Sequence, residues 1–346
     1  MNSRELQVPW GPKVPSNFIE FIREGTKFLI AGHKEPDGDC IGSQLALASV
    51  LRRMGKDLIL YSAGPFKRTE IKSCEHFFNS VLDEKDKDGA RVIIVDCPDL
   101  ERTGDLEPFL KGLPRAVIDH HGSGKFADSA NCPDSGPAYI DRRSPSTTLL
   151  VLKLMEALGL ELTGEEAKFL FFGLCTDTGF FRHVDGNGAG IFETAAILIQ
   201  AGANPKAAYA DIYGGKSLDS RKLIGQILNG SEALFGGKLI LCCEDYEQVS
   251  RFGYENRDSD SLYQLIGTIE GVEAIVLICQ DTPLACSIGL RSRDWVDVGS
   301  IAASFGGGGH KNAASFNISG TIAAVKPEII KIFTGVFNNP GYLKNV

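Results

Sequence analysis

The sequence predicts an α/β protein of two domains, with a mostly parallel sheet flanked by helices in the first domain and a second, smaller α/β domain after it. The 346 residues are too many for one compact core and enough for two. Between residues 14 and 202, short apolar runs alternate with helical periods, which is typical of parallel strands joined by crossover helices. A stretch without strand-like runs then separates this part from a second set of alternating elements.

The first domain, residues 14–202, repeats strand and helix along its length. The predicted strands are KFLIAG, DLILYSAG, RVIIVDC, RAVIDHH and AYIDRRS. The predicted helices are NFIEFIREG, IGSQLALASVLRRMG, LLVLKLMEALGL, EEAKFLFFGLC and ETAAILIQAG. Because parallel strands need crossover connections and the early strands are separated by helical periods, we expect one mostly parallel sheet.

Residues 203–235 are helical with glycine breaks, and we expect them to connect the two domains. The second domain, residues 236–346, is predicted to contain the strands KLILCCE, EAIVLICQ, LACSIGLRSR and ASFNISG. Its predicted helices are DSLYQLIGTIEG, VGSIAASF and KPEIIKIFTGVF.

The formal net charge of -8 argues against a protein that follows a long nucleic acid, since such proteins usually carry a basic surface. Part of the acidic excess can belong to carboxylates that bind divalent cations. Nine cysteines without a C-x-x-C pair indicate reduced thiols. With no signal-type start and no apolar run of about 18 residues, we expect a cytoplasmic protein that does not enter a membrane.

The first motif, GHKEPDGDCIGS, lies between a predicted strand and a predicted helix. It contains His33, Asp37 and Asp39. Ligands of open α/β sheets bind at the carboxyl ends of strands, which is where this loop should lie. A turn at Asp37 with Asp39 as a helix cap is the structural alternative.

Two further apolar stretches end in an aspartate. Asp96 follows the run RVIIV, and Asp177 follows the helical stretch EEAKFLFFGL. A carboxylate next to a core is costly unless it is paired or bound to a metal, although either residue could instead cap a turn. Arg102, in the loop after Asp96, is a candidate phosphate contact or a solvated arginine.

The predicted strand RAVIDHH ends in Asp119, His120 and His121. Imidazole is the commonest metal ligand, and a neighbouring carboxylate often fixes its tautomer. Together the motifs offer two histidines and four aspartates as ligands, enough for two divalent ions: His33, Asp37, Asp39, Asp96, His120 and Asp177. Mixed carboxylate and imidazole ligands without thiolate favour manganese, magnesium or cobalt over a structural zinc site. A pair of such ions can clamp both oxygens of a phosphoryl displacement.

These motifs resemble the DHH phosphoesterase superfamily, named for the tripeptide at 119–121. The second domain resembles the DHH-associated domain through FGGGGHKNAA at 305–314, preceded by GLRSR at 289–293. The two domains together are similar to the NrnA-type nanoRNase and adenosine bisphosphate phosphatase group. By this resemblance, residues 14–202 are the catalytic metal-binding domain and residues 236–346 the substrate-binding domain.

The resemblance implies a role for each motif residue. Asp96 would bridge two ions, one held also by His33 and Asp37 and the other by Asp39, His120 and Asp177. Asp119 would support the site, and His121 would contact the scissile phosphate or aid proton transfer to the leaving group.

The glycine-rich motif of the second domain is the candidate substrate grip. Glycines allow backbone amides to approach a ligand, an arginine can bind a terminal phosphate with two bonds, and a histidine can add a donor. The candidate residues are Gly307, Gly308, Gly309, His310 and Arg291. A flexible glycine linker with a surface histidine is the alternative.

We therefore expect a manganese-dependent phosphoesterase that hydrolyses short oligoribonucleotides, including linear dinucleotides such as pApA, by two-metal activation of water. Adenosine 3′,5′-bisphosphate is a further candidate substrate, and magnesium or cobalt are alternative ions. Other enzymatic interpretations are an inorganic pyrophosphatase, an exopolyphosphatase or a single-strand DNA exonuclease, and the non-enzymatic one is a silent nucleotide-binding regulator. Long duplex nucleic acid is not expected as a partner, and the oligomeric state stays open, a homodimer included.

Overall fold

The computed structural model describes residues 7–9, 11–79, 81–121, 136–184, 186 and 188–338. The chain divides into two compact units, Met1–Gly215 and Lys216–Val346. Each unit contains one sheet and its own apolar core. The predicted two-domain α/β fold is confirmed.

The sheet of the first unit has five strands in the order β2-β1-β3-β4-β5, all of them parallel. The strands are β1 Lys27–Ala31, β2 Asp57–Tyr61, β3 Ala90–Val95, β4 Arg115–Asp119 and β5 Ala138–Ile140. Of these, β1, β3 and β4 are almost entirely buried because helices cover both faces of the sheet, which explains their continuous apolar runs. Their carboxyl ends therefore lie at one edge of the sheet.

The helices of the first unit include the five that the sequence predicts. They are α1 Ser16–Glu24, α2 Gly38–Arg53, α3 Thr69–Lys72, α4 Glu107–Leu110, α5 Thr147–Ala157, α6 Gly164–Asp177, α7 Ala189–Ala201 and α8 Pro205–Tyr213. Helix α6 begins with a capping box, in which Thr163 and Glu166 each bind the backbone N–H of the other. Ser49 and Arg53 of α2 also donate to Glu166, which ties these two helices together.

The predicted connecting segment, residues 203–235, is divided between the two units. Helix α8 belongs to the first unit, whereas α9 Leu218–Asn229 belongs to the second. The segment also contains a strand, β6 Glu232–Leu234, which pairs with the strand β7 at Leu239–Glu244 and was not expected. It has only three residues, two of them exposed, so it lacks the apolar run by which a strand is recognised.

The sheet of the second unit has six strands in the order β10-β11-β9-β8-β7-β6, with β7 and β8 parallel and the other pairs antiparallel. The remaining strands are β7 Leu239–Glu244, β8 Ala274–Thr282, β9 Ala285–Ser292, β10 Gly308–His310 and β11 Ala313–Ser319. The helices are α10 Tyr246–Phe252, α11 Ser259–Gly267, α12 Val298–Ser304 and α13 Ile322–Asn338. Among the described residues, no helix is long and apolar enough to span a membrane.

Candidate active site

Six of the predicted site residues converge at the carboxyl edge of the parallel sheet. Asp96 lies between two histidines, with its Oδ2 3.4 Å from Nε2 of His33 and its Oδ1 3.6 Å from Nε2 of His120. Nε2 of His33 is also 3.8 Å from Oδ1 of Asp37. Nε2 of His120 is 3.1 Å from Oδ2 of Asp177 and 3.9 Å from Oδ2 of Asp39. The structure thus forms one cluster of four carboxylates and two imidazoles.

The first motif reaches this cluster because it forms the loop between β1 and α2. Asp37, rather than Asp39, is the cap of α2, since its side chain accepts a hydrogen bond from the Cys40 backbone N–H at 3.1 Å. Asp39 lies in the first turn and is fully buried. Asp37 both caps the helix and joins the cluster with one oxygen, because Oδ1 accepts the capping hydrogen bond and is also the atom that lies 3.8 Å from Nε2 of His33.

Asp39 is held by the beginning of helix α5. Its two oxygens accept hydrogen bonds from the backbone N–H groups of Thr147 and Thr148, at 2.6 and 3.0 Å. Free N–H groups and the positive end of a helix dipole stabilise a carboxylate at this position. Burial nevertheless raises the pKa of Asp39, and the negative charge of Asp177 raises it further.

Asp96 is positioned by its backbone as well as by a hydrogen bond. Its φ of 59° lies in the left-handed region, which few residues other than glycine, asparagine and aspartate adopt. The Thr147 hydroxyl donates to Asp96 Oδ1 at 2.9 Å. Burial raises the pKa of Asp96, and the neighbouring Asp39 carboxylate adds to the effect. A buried carboxylate of this kind needs a positive partner.

Both histidines of the cluster present the same ring nitrogen to it. Nδ1 of His33 lies 2.8 Å from the Lys34 carbonyl, and Nδ1 of His120 lies 3.1 Å from the Ser144 carbonyl. A proton on Nδ1 donates to each carbonyl and leaves the Nε2 lone pair directed at the carboxylates. Nε2 of His120 is buried and has no hydrogen-bond partner among the described residues. This arrangement fits a divalent cation.

The electrostatics of the cluster also call for positive charge. Burial lowers the pKa of His120, but the carboxylates of Asp177, Asp39 and Asp96 outweigh this effect and raise it to about 10. A proton on this ring therefore neutralises part of the negative charge of the carboxylates, which a cation would otherwise neutralise.

Among the residues that the structure describes, three groups of donor atoms lie close enough to share a cation, with the atoms of each group within 4.8 Å of one another. The groups are His33 with Cys40 and Asp96, Asp96 with His120 and His121, and Asp39 with His120 and Asp177. The thiol of Cys40 was not among the predicted ligands, although it lies inside the first motif. Burial raises the pKa of this thiol to about 11, which keeps it protonated and a weak ligand.

His121 differs from His120 in its hydrogen bond. Its Nδ1 lies 2.7 Å from Oδ1 of Asp119, a fully buried carboxylate at the end of β4. Burial lowers the pKa of His121, whereas the bond to Asp119 outweighs this and raises it. The pair leaves Nε2 of His121 as the ring atom that can act on a ligand.

Arg102 lies in the turn that follows β3, and its side chain is exposed. Its backbone carbonyl accepts a hydrogen bond from the Lys34 N–H at 2.8 Å, which joins this turn to the loop of the first motif. The side chain stays a predicted phosphate contact.

The candidate substrate residues of the second unit lie on neighbouring strands. His310 pairs with Ala313, which pairs in turn with Arg291. Gly308–His310 forms β10, so this part of the motif is a strand rather than a flexible linker. A Cβ on Gly307 or Gly309 would lie within 2.4 Å of a carbonyl of β11, so close packing requires both glycines. Gly308 faces open space.

Comparison with known proteins agrees with this architecture. Residues 27–174 match the DHH family, N-terminal domain, and residues 243–339 match the DHHA1 domain. A Thermus thermophilus protein named bifunctional oligoribonuclease and PAP phosphatase NrnA is 29% identical over 294 residues, covering 84% of each chain. The Bacillus subtilis protein of the same name is 25% identical, covering 84% of this chain and 88% of its own.

A solved structure extends the similarity to the fold. The exopolyphosphatase-related protein from Bacteroides fragilis superposes with a TM-score of 0.82 at 24% identity, covering 95% of this chain and 97% of that chain. The order of the motifs along the chain, the fold of the two units and the two matched domains are consistent with one another. The chain carries a DHH N-terminal domain followed by a DHHA1 domain.

Proposed function

We propose that this protein is a manganese-dependent phosphoesterase that hydrolyses short oligoribonucleotides, linear dinucleotides such as pApA, and adenosine 3′,5′-bisphosphate. The observation that carries the proposal is the position of Asp96, whose two oxygens face Nε2 of His33 and Nε2 of His120 at 3.4 and 3.6 Å. A carboxylate with one oxygen toward each imidazole can bridge two cations. The oligoribonuclease and PAP phosphatase names of the relatives support the substrate class.

The proposed ligands divide into two sets that share Asp96. His33 and Asp37 complete one set, and the other is completed by Asp39, His120 and Asp177. Manganese suits this mixture of carboxylate and imidazole, with magnesium or cobalt as alternatives. Two divalent ions held by these residues would supply the positive charge that stabilises the attacking and leaving oxygens of a phosphoryl displacement.

The chain's own residues manage the proton of the reaction. Water attacks phosphorus and releases one proton to solvent, the ester P–O bond breaks, and the leaving oxygen takes a proton from Nε2 of His121, which solvent then restores. The carboxylate of Asp119, at 2.7 Å from Nδ1, fixes the ring and stabilises its protonated form before transfer.

Phosphate recognition is assigned to cationic and backbone donors. Arg291, His310 and the glycine motif hold a terminal phosphate of the substrate, and Arg102 contacts a phosphate near the cluster. With a net charge of -8, the chain favours substrates of a few nucleotides, because long strands need many cationic contacts.

A substrate panel tests the proposal. Initial rates with manganese are compared for pApA, adenosine 3′,5′-bisphosphate, pyrophosphate, polyphosphate and a single-stranded 20-mer at physiological salt. We expect the highest kcat/KM for pApA and a clearly lower value for the 20-mer. Preference for pyrophosphate or polyphosphate, equal values for the dinucleotide and the 20-mer, or no turnover of any phosphoester would contradict the proposal.

A further inference from the structure

Residues 141–148, which we call the supporting segment, contact candidate metal ligands from three different motifs. The segment joins β5 to the first turn of α5, and the Asp141 N–H donates to the Asp119 carbonyl at 3.2 Å. The Ser144 carbonyl lies 3.1 Å from Nδ1 of His120 and accepts its proton. The segment therefore orients this histidine from outside the motif that contains it.

Thr147 of the segment contacts two carboxylates with two different atoms. Its backbone N–H donates to Oδ2 of Asp39 at 2.6 Å, and its hydroxyl donates to Oδ1 of Asp96 at 2.9 Å. The N–H of Thr148 donates to the other oxygen of Asp39 at 3.0 Å. These four residues are at most 1% exposed, so water does not compete for the bonds. Because a threonine side chain is stiff at χ1, the hydroxyl holds its acceptor in one direction.

Other contacts fix the supporting segment independently of the cluster. The Ser144 hydroxyl donates to the Ser146 carbonyl at 2.6 Å, and the hydroxyls of Ser146 and Thr148 are 2.8 Å apart. The Thr148 methyl fills the space beside Gly173 of α6, where an added Cβ would lie only 2.4 Å from it. Since these contacts involve no candidate ligand, they keep the segment in place for those that do.

The two proposed ion positions receive unequal support from the segment. It contacts Asp39 and His120, which belong to the second ligand set only. Its bond to the shared Asp96 is made to Oδ1, the oxygen that faces His120. The other ligands of the first set, His33 and Asp37, have hydrogen bonds to residues of their own motif. The segment therefore prepares the second position.

We propose that Thr147 is the positioning residue of the second ion position, and that its hydroxyl contributes to cation affinity there and not at the first position. This inference rests on the proposed function, because it uses the two ligand sets assigned there. An oxygen of Asp96 that accepts one hydrogen bond keeps a lone pair for a cation. The bond directs that lone pair, and partners of this kind typically contribute 10- to 100-fold to metal affinity.

Manganese titration of the full chain, with free Mn²⁺ measured by electron paramagnetic resonance, tests the inference without turnover. Thr147→Val removes the hydroxyl and keeps the backbone N–H that bonds Asp39. We expect one of the two ions to bind with a Kd raised about 10- to 100-fold. Thr147→Ser restores the hydroxyl and should recover most of the affinity. Thr147→Ala is the second variant, which removes the hydroxyl without placing a methyl group beside a buried carboxylate.

The matched control is Thr148→Val. Thr148 is equally buried and its N–H also bonds Asp39, but its hydroxyl bonds Ser146 rather than a candidate ligand. Both Kd values of this variant should stay within about twofold of the wild type.

Variants that retain a single ion identify which position Thr147 supports. His33 belongs to the first set only and Asp177 to the second only, so His33→Ala should leave the second position and Asp177→Ala the first. Adding Thr147→Val should raise the Kd of the remaining ion about 10- to 100-fold in His33→Ala. The same addition should change it by no more than about twofold in Asp177→Ala.

Wild-type affinity for both ions in Thr147→Val and Thr147→Ala would overturn the inference. Equal weakening of the two ions, an equal loss in Thr148→Val, or a wild type that binds a single ion would also overturn it. Failure of the proposed function is distinguishable, because a wild type that binds two manganese ions without hydrolysing any phosphoester would contradict that function and leave the role of Thr147 intact.

Discussion

The ring of His121 is held by Asp119, with Nδ1 and Oδ1 2.7 Å apart. Its neighbour His120 instead directs Nδ1 at the Ser144 carbonyl and Nε2 into the carboxylate cluster. Two adjacent histidines therefore have different partners, and we expect them to have different functions.

His121→Ala should keep the bound metal and lose about 10²–10⁴ in kcat, because a proton donor contributes mainly in the transition state. His120→Ala should lose metal, because it removes the buried Nε2 that faces three carboxylates. Metal content by mass spectrometry of the desalted protein, together with kcat, checks both variants. Equal loss of metal in the two would refute the division.

The phosphate grip can be tested on Arg291. Arg291→Ala should raise KM for pApA and leave metal content unchanged, since the residue lies in the other sheet. Arg291→Lys keeps the charge but not the planar fork that stacks on Tyr263, so it should recover only part of the affinity. Kinetics identical to the wild type in the alanine variant would remove Arg291 from the substrate site.

Metal should stabilise the protein more at pH 8 than at pH 6. Without metal, burial raises the pKa of Asp39 and Asp96, and nearby carboxylates raise that of His120 despite its burial. The folded state then binds more protons than the unfolded state above the ordinary aspartate pKa of about 4, so the unfolding free energy falls as pH rises. The neighbouring His33 lowers the pKa of Asp37 despite burial. Asp37 therefore changes the unfolding free energy only at lower pH.

Differential scanning calorimetry with manganese or EDTA at the two pH values checks this prediction. The increase in Tm on adding manganese should be larger at pH 8, since fewer protons then compete for the ligands. A larger increase at pH 6 would contradict the direction that we derive.

Glu166 is predicted to stabilise the first unit. It is fully buried and accepts hydrogen bonds from Ser49, Arg53 and the Thr163 backbone. Although burial raises its pKa, these donors outweigh burial and lower it. Glu166→Gln should therefore cost about 1–3 kcal/mol of unfolding free energy at pH 7.

Urea unfolding at two pH values tests the origin of that cost. Because the folded pKa is lowered, the stabilisation is present above the ordinary glutamate pKa of about 4.3 and declines as pH falls through the folded value. The difference between wild type and variant should shrink at acidic pH. Glu165→Gln, its exposed neighbour in the same turn, should have little effect at either pH.

The sequence predicts the location of the cluster because each motif ends an apolar run. Asp96 and His120 follow β3 and β4, which are buried parallel neighbours, so their convergence follows from the fold class. The strands of the first sheet were also predicted from their apolar runs.

What the sequence could not predict depends on contacts between distant residues. Thr147 and Thr148 bind Asp39 across more than 100 positions, and no local pattern indicates that pairing. Cys40 was counted only among the reduced thiols, and only the structure places it near His33 and Asp96. Likewise, β6 is a strand because β7 lies beside it, not because of its own sequence.

The central claim is that Asp96 is shared by two metal ions, and counting the ions in Asp96→Asn tests it most directly. Asparagine tolerates the φ of 59° found at this position, so the backbone is preserved while the charge is removed. Asp105→Asn, an exposed position in the segment after β3, is the matched control. We predict that Asp96→Asn loses both tightly bound manganese ions and turnover, while Asp105→Asn keeps them. Retention of two tightly bound ions by Asp96→Asn would contradict the account.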